Sequence, residues 1–258
     1  MKEKYPIRRY WPPEIVVAAG DWDADVNTVR LVLSAAGEAL WRYFSPAETD
    51  PVLVYPGGGP LTLYRRGPAN EYIVKLDTGG AYWAQYVFQF AHELCHVLIG
   101  IDRTNDDHRW FEESICELAS LFVLRRLSEE WSSQPPYAHW QPYARHLSDY
   151  ASARMESHLT GSEVSLADWY AAKADPQGRL IFRREWCTFV ATSLLKDFEQ
   201  TPDNWDTVRY LYAGSREVLT FEAFLNCWHA RVTKDQQEFI HTIGKRFAIE
   251  IDGVVRRS

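Results

Sequence analysis

Phe90-Ala91-His92-Glu93-Leu94-Cys95-His96-Val97-Leu98 is an HExxH sequence set among apolar residues. On a helix, positions four apart share a face with Cβ atoms about 5–6 Å apart, so this spacing lets His92 and His96 grip one ion together. Glu93 then projects beside the pair. A Zn2+ held by such ligands keeps a position open for water, lowers the pKa of that water to about 7, and leaves a neighbouring carboxylate placed to take the proton. The flanks add a second argument. Tyr86, Val87, Phe88, Phe90, Ala91, Leu94, Val97 and Leu98 make the helix apolar nearly all round, which places it in an interior. Two histidines and a glutamate buried there without partners cost about 1–3 kcal/mol each. One metal ion satisfies all three.

Working outward, the metal helix is expected from about Tyr82 to Ile99, with Gly100 as its stop. Upstream, Glu14 to Ala19 reads as a strand, and a helix follows that Asp23 or Asp25 can cap, with Val29, Val32, Leu33, Ala36, Leu40 and Phe44 at helical spacing. Val52 to Tyr55, Leu61 to Tyr64 and Tyr72 to Leu76 read as short strands punctuated by Pro56-Gly57-Gly58-Gly59-Pro60. No GK[ST] follows those glycines, so they read as a strand connection rather than a phosphate cradle. The strand Tyr72 to Leu76 leads through Asp77-Thr78-Gly79-Gly80 into the metal helix; as an edge strand it would let a peptide pair with it by β-addition, and it reads equally as an interior strand.

Downstream, a second helix is expected from near Arg109 to Leu127, and Ser132 to Pro142 reads as a loop. Helices are expected over roughly 143–159, 165–173, 180–198, 204–213, 220–231 and 234–248, the last opening on a capping box of Thr233 and Gln236. This order predicts an α+β fold. A zincin-like lobe over 1–131, with a small mixed sheet and the HExxH helix, precedes a mainly helical lobe over 132–258 that completes the cleft.

Composition narrows the function classes. A net charge of −7 argues against a nucleic-acid partner, which generally needs a basic face. No stretch of about 18 apolar residues is present to span a membrane, and the basic N-terminus runs into Trp11-Pro12-Pro13 without an apolar core, unlike a secretory signal. Cys95, Cys116, Cys187 and Cys227 show no CxxC pairing, so they read as packing residues in a reducing, cytoplasmic setting. The 11 Trp and 14 Tyr suit large cores and substrate clefts alike.

A catalytic zinc usually has three protein ligands and a water. Candidates for the third are Asp102, Asp106, Asp107, His108, Glu112, Glu113 and Glu117. Asp102 lies six residues after His96, the spacing of metzincin-type proteases. That motif needs a glycine three residues after the second histidine, where Ile99 stands, and a β-branched residue is badly strained at positive φ. It also needs a methionine turn, but Met155 sits in a helical run. The second helix instead carries Glu112, Glu113 and Glu117 in its first turns, and like charges four apart repel, so a cation is expected there.

Here Trp110-Phe111-Glu112-Glu113-Ser114 resembles the WLNEG-type sequence of aminopeptidase N-like gluzincins, zinc peptidases whose HExxH is completed by a glutamate on a following helix. The resemblance covers about residues 90–120. It implies His92, His96 and Glu113 as zinc ligands and Glu93 as the catalytic base. In thermolysin-like members a carboxylate four residues beyond the ligand hydrogen-bonds a zinc histidine, a place that Glu117 takes here. Ser114 stands where the family has glycine, no GxMEN-like run occurs upstream, and a shift of register would make Glu117 the ligand.

The expected function is therefore zinc-dependent hydrolysis of peptide bonds in a peptide or protein substrate, with Glu93 as general base toward water and later proton donor to the leaving amine. His139, His146, Tyr170, Tyr210 and Tyr212 are available to stabilise the oxyanion. The rival expectation is a binding or regulatory protein with a closed structural zinc, in which His108 or Cys116 supplies a fourth protein ligand.

Overall fold

Val52, Val54, Val74 and Leu76 are fully buried at alternating positions, and this alternation builds the sheet. A computed structural model of the chain describes residues 11–101, 106–156, 164–176, 178–212 and 220–252. Its strands are β1 (Ile15–Val17), β2 (Val52–Pro56), β3 (Leu61–Leu63) and β4 (Tyr72–Leu76), in the order β1-β2-β4-β3. β1 and β2 are parallel, as are β2 and β4, while β3 runs antiparallel to β4. The register pairs Val54 with both Val17 and Val74, stacking buried side chains on one face.

This order decides between the two places open to Tyr72–Leu76. β4 is the interior strand, since β2 and β3 flank it, and among the described residues the edges are β1 and β3. The reason lies in the glycine turn. Gly57 and Gly58 take φ of 75° and 70°, and a Cβ on Gly59 would collide with the Lys75 carbonyl oxygen. The chain therefore passes closely over the end of β4 and returns along its other side.

Helix α1 (Val26–Trp41) follows β1 and packs on it through Val29, Val32, Leu33, Ala36 and Leu40, all fully buried. Asp25 is its cap. The Asp25 carboxylate accepts from the Thr28 N–H at 2.8 Å and from the Thr28 hydroxyl at 2.9 Å, which holds its pKa below the ordinary value.

Helix α2 (Trp83–Ile99) ends where expected, at Gly100 with φ of 91°. Its approach from β4 is fixed by Gln89, whose amide accepts from the Asp77 N–H at 2.8 Å and donates to the Asp77 carbonyl at 3.0 Å. The Tyr86 hydroxyl donates to the Trp22 carbonyl at 3.3 Å, and burial, with a contribution from Asp23, pushes its pKa up to about 12. At the first turn, the Tyr143 hydroxyl accepts from the Ala84 N–H at 3.2 Å. A side chain about sixty positions away thus does the work of a local cap.

Helix α3 (Arg109–Trp131) runs a turn beyond the expected Leu127, because Trp131 is buried against Trp140 and Tyr143. The remaining elements are α4 (Tyr143–Glu156), α5 (Leu166–Lys173), α6 (Arg184–Gln200), α7 (Phe221–His229) and α8 (Lys234–Arg246), the last with the expected capping box at Thr233. The segment expected as a helix near 204–213 is a 3-10 helix over Pro202–Tyr210. The 132–142 loop also holds one 3-10 turn, Ala138–Trp140.

Helices and a small mixed sheet thus make a mixed fold of α and β elements. Contacts divide the chain into two compact units, residues 1–97 with 123–150, and residues 98–122 with 151–258. In the second unit the core is largely aromatic: Phe221 packs on Trp110 at 4.8 Å between ring centroids, on Phe111 at 5.2 Å and on Phe247 at 5.2 Å. The Arg246 guanidinium ties α8 to α6 by two bonds to the Asp197 carboxylate, at 2.9 and 2.7 Å.

Candidate metal centre

His92 and His96 stand one turn apart on α2, with ring centroids 5.1 Å apart and ring planes at 68°. His96 is buried and His92 half-buried. Glu93 is only 4% exposed. Its Oε2 accepts from the Thr62 hydroxyl of β3 at 2.8 Å, and the same hydroxyl lies 3.1 Å from the Glu93 main-chain oxygen. A carboxylate beside two histidines is therefore anchored from the sheet.

On α3, every residue from Trp110 to Leu124 is buried, including Glu112, Glu113, Ser114, Cys116, Glu117 and Ser120. Buried polar groups need partners. Ser114 donates to the Trp110 carbonyl at 2.7 Å, and Ser120 to the Cys116 carbonyl at 3.3 Å. Arg109 donates to Glu113 at 3.3 Å. Glu117 Oε1 accepts from the Thr188 hydroxyl at 2.9 Å and from Arg154 at 3.5 Å. The cation that the crowded carboxylates call for is thus supplied at least in part by two arginines.

These carboxylates also act on their neighbours. Burial raises the Tyr212 hydroxyl well above its ordinary pKa, and Glu112 adds to the effect. Burial likewise pushes the Cys187 thiol up to about 12, with a smaller push from the charges of Glu113 and Glu117. Cys187 is therefore an un-ionised packing group that donates to the Trp110 carbonyl at 3.7 Å.

His92, His96 and Cys116 form a group able to hold a metal ion, with their donor atoms all within 4.8 Å of one another. Two imidazoles and a thiol are a nitrogen–sulfur donor set of the kind zinc takes. Donors about 2.0–2.3 Å from a tetrahedral ion lie about 3.3–3.8 Å apart, a separation inside the 4.8 Å within which these three fall. Glu113, expected as the third ligand, is not a member of this group. It sits three residues before Cys116 on α3, positions that share a helix face. Asp102 lies outside the described residues, and Met155 is in α4, with no methionine turn there.

Among the groups considered for the oxyanion, the Tyr170 hydroxyl donates to the Gly178 carbonyl at 2.9 Å, and His139 stacks on Tyr137 at 5.6 Å. His146 packs on Tyr143 at 5.1 Å. Tyr212 is buried, and Tyr210 closes the 3-10 helix half-buried.

Sequence reasoning missed Thr62 altogether. The one signal for it is a threonine between two leucines in a three-residue strand, which says nothing of what it meets across the fold. For Cys116 the sequence reading is a packing residue or the closing ligand of a structural site. Comparison of the chain with protein-family models, with curated proteins and with solved structures gave no match.

Proposed function

We propose that the protein is a zinc-dependent peptidase in which Glu93 moves the protons. The observation that carries this reading is the pairing of His92 and His96 one turn apart on α2, together with a buried carboxylate, Glu93, at the adjacent position of the same helix. A purely structural site has no need of Glu93. When bound, the divalent ion supplies an activated water and a polarised carbonyl. Glu93 takes the proton from the water and returns it to the leaving amine, the work of one carboxylate acting first as base and then as acid. His92 and His96 hold the ion from one helix face, and α3 offers the third ligand, with Glu113 in that role as in the gluzincins. The fold is then zincin-like, and an extended substrate has β3, not β4, as the strand edge to pair with. Four cysteines scattered without CxxC spacing suit a cytoplasmic, reducing setting.

Cys116 favours a second reading, because a thiol beside the two histidines is the donor that a closed structural zinc site would use. The two readings separate cleanly. Metal analysis of the purified protein, with a peptide-library digest of wild type and Glu93→Gln, is expected to give about one divalent ion per chain in both and cleavage only in wild type. A metal-free protein would sink both readings, and full cleavage by Glu93→Gln would remove Glu93 from its role. The hydrolytic reading expects Glu113→Ala to lose more metal affinity than Glu112→Ala or Cys116→Ser. The structural reading expects Cys116→Ser to lose most, with no turnover in wild type.

A further inference from the structure

We propose that Thr62 is a positioning residue that holds the Glu93 carboxylate for proton transfer, an inference that rests on Glu93 being the base. The strand pattern is the first observation. In β3 the two leucines, Leu61 and Leu63, are half-buried, while Thr62 between them is 8% exposed. The inward position of a three-residue strand thus carries a hydroxyl where hydrophobic burial alone would favour an apolar side chain. Burying a hydroxyl is unfavourable unless it is bonded.

The bond it makes is the second observation. The Thr62 hydroxyl has one hydrogen and two acceptors in reach, Oε2 of Glu93 at 2.8 Å and the Glu93 carbonyl at 3.1 Å. A bond to an ionised carboxylate is the stronger of the two. Thr62 is itself held. It pairs with Val74 in the antiparallel β3–β4 ladder, and a β-branched side chain is stiff at χ1. The hydroxyl is therefore carried by the sheet rather than by a loop, and it fixes Oε2 while leaving Oε1 for the proton. A carboxylate without this tether turns about its last torsion and spends less time in reactive geometry.

The experiment uses the full chain, with metal content measured for each preparation. Thr62→Val removes the hydroxyl at nearly constant shape, and Thr62→Ser keeps it. On the best-cleaved peptide of the library digest, Thr62→Val is expected to lower kcat by about 10- to 100-fold, with KM and metal content unchanged. Thr62→Ser is expected to recover most of the loss. In urea denaturation, Thr62→Val and Glu93→Gln are expected to shift the midpoint non-additively, as partners in one hydrogen bond do. If Thr62→Val does not fold, Thr62→Ala takes its place. A wild-type kcat in the variant without the hydroxyl, or a serine variant no better than it, would reduce Thr62 to packing, and additive midpoints would show that the contact is not made in solution. Absence of turnover in wild type, or normal cleavage by Glu93→Gln, overturns the hydrolytic reading and the positioning role with it. The non-additive midpoints then leave Thr62–Glu93 as a structural tie alone.

Discussion

Glu117 shows how a single carboxylate is given partners in an interior. Its side chain is nearly fully buried, and its Oε1 is met by the Thr188 hydroxyl and the Arg154 guanidinium. Removing one partner of a buried pair leaves the other charge poorly compensated, which costs more than the pair itself contributes. Arg154→Ala is therefore expected to destabilise the fold by about 1–3 kcal/mol. Arg109→Ala, which removes the more exposed partner of Glu113, is expected to cost about 1 kcal/mol or less. Urea midpoints of the two variants check the order, and an equal loss would show that Glu117 does not depend on Arg154. At this scale the sequence was legible where chemistry is local: HExxH announces itself by spacing, and Glu113 and Glu117 by their four-residue interval. Arg154 and Thr62 were not legible, because a partner 37 or 31 positions away is chosen by the fold and leaves no mark on its neighbours.

At the scale of elements, the turn at 57–60 sets the position of β3 and hence of Thr62. Gly59 lies so close to the Lys75 carbonyl that Gly59→Ala must push β3 away from β4. The expected cost is about 1–3 kcal/mol, as for other overpacked sites. A fall in kcat at unchanged metal content should accompany it if β3 carries the tether to Glu93. A variant with wild-type stability would show that the strand yields without cost. The presence and order of α1, α2, the strands and the α8 capping box were readable from caps, periodicity and turn residues, while the ends were less so: β1 is shorter than the 14–19 expected, and α1 stops at Trp41, short of Phe44. Misreadings arose where tertiary contacts decide. Ser128, Glu129 and Glu130 mark a polar end for α3, but Trp131 extends it by burying against two aromatics. The place of β4 stayed open between edge and interior because it depends on pairing partners, which alternation along one strand does not specify.

For the molecule as a whole, each compact unit is assembled from two separate stretches of chain. A unit closed by returning chain has no single boundary in the sequence. Acid stability follows from the second unit. His229 is buried, its two ring nitrogens have no hydrogen-bond partner among the described residues, and its ring lies 4.6 Å from that of His241. Burial, and then His241, lowers its pKa below the ordinary 6.5. The unfolded chain therefore binds a proton at higher pH than the folded one, and stability falls as pH drops through 6.5 toward the folded pKa, below which no more is lost. Urea midpoints measured from pH 8 to pH 5 are expected to decline below about 6.5, and His229→Phe is expected to flatten that decline. An unchanged slope in the variant would assign the acid sensitivity elsewhere.

Both outer strands of the sheet, β1 and β3, are only three residues long. A long, flat outer strand offers another chain a row of unpaired N–H and C=O groups on which to polymerise, and shortness is one of the ways proteins withhold that template. The strand that positions Thr62 thus also protects the sheet against cross-β growth. Substitutions that lengthen β3 by straightening the 57–60 turn put solubility at risk along with geometry.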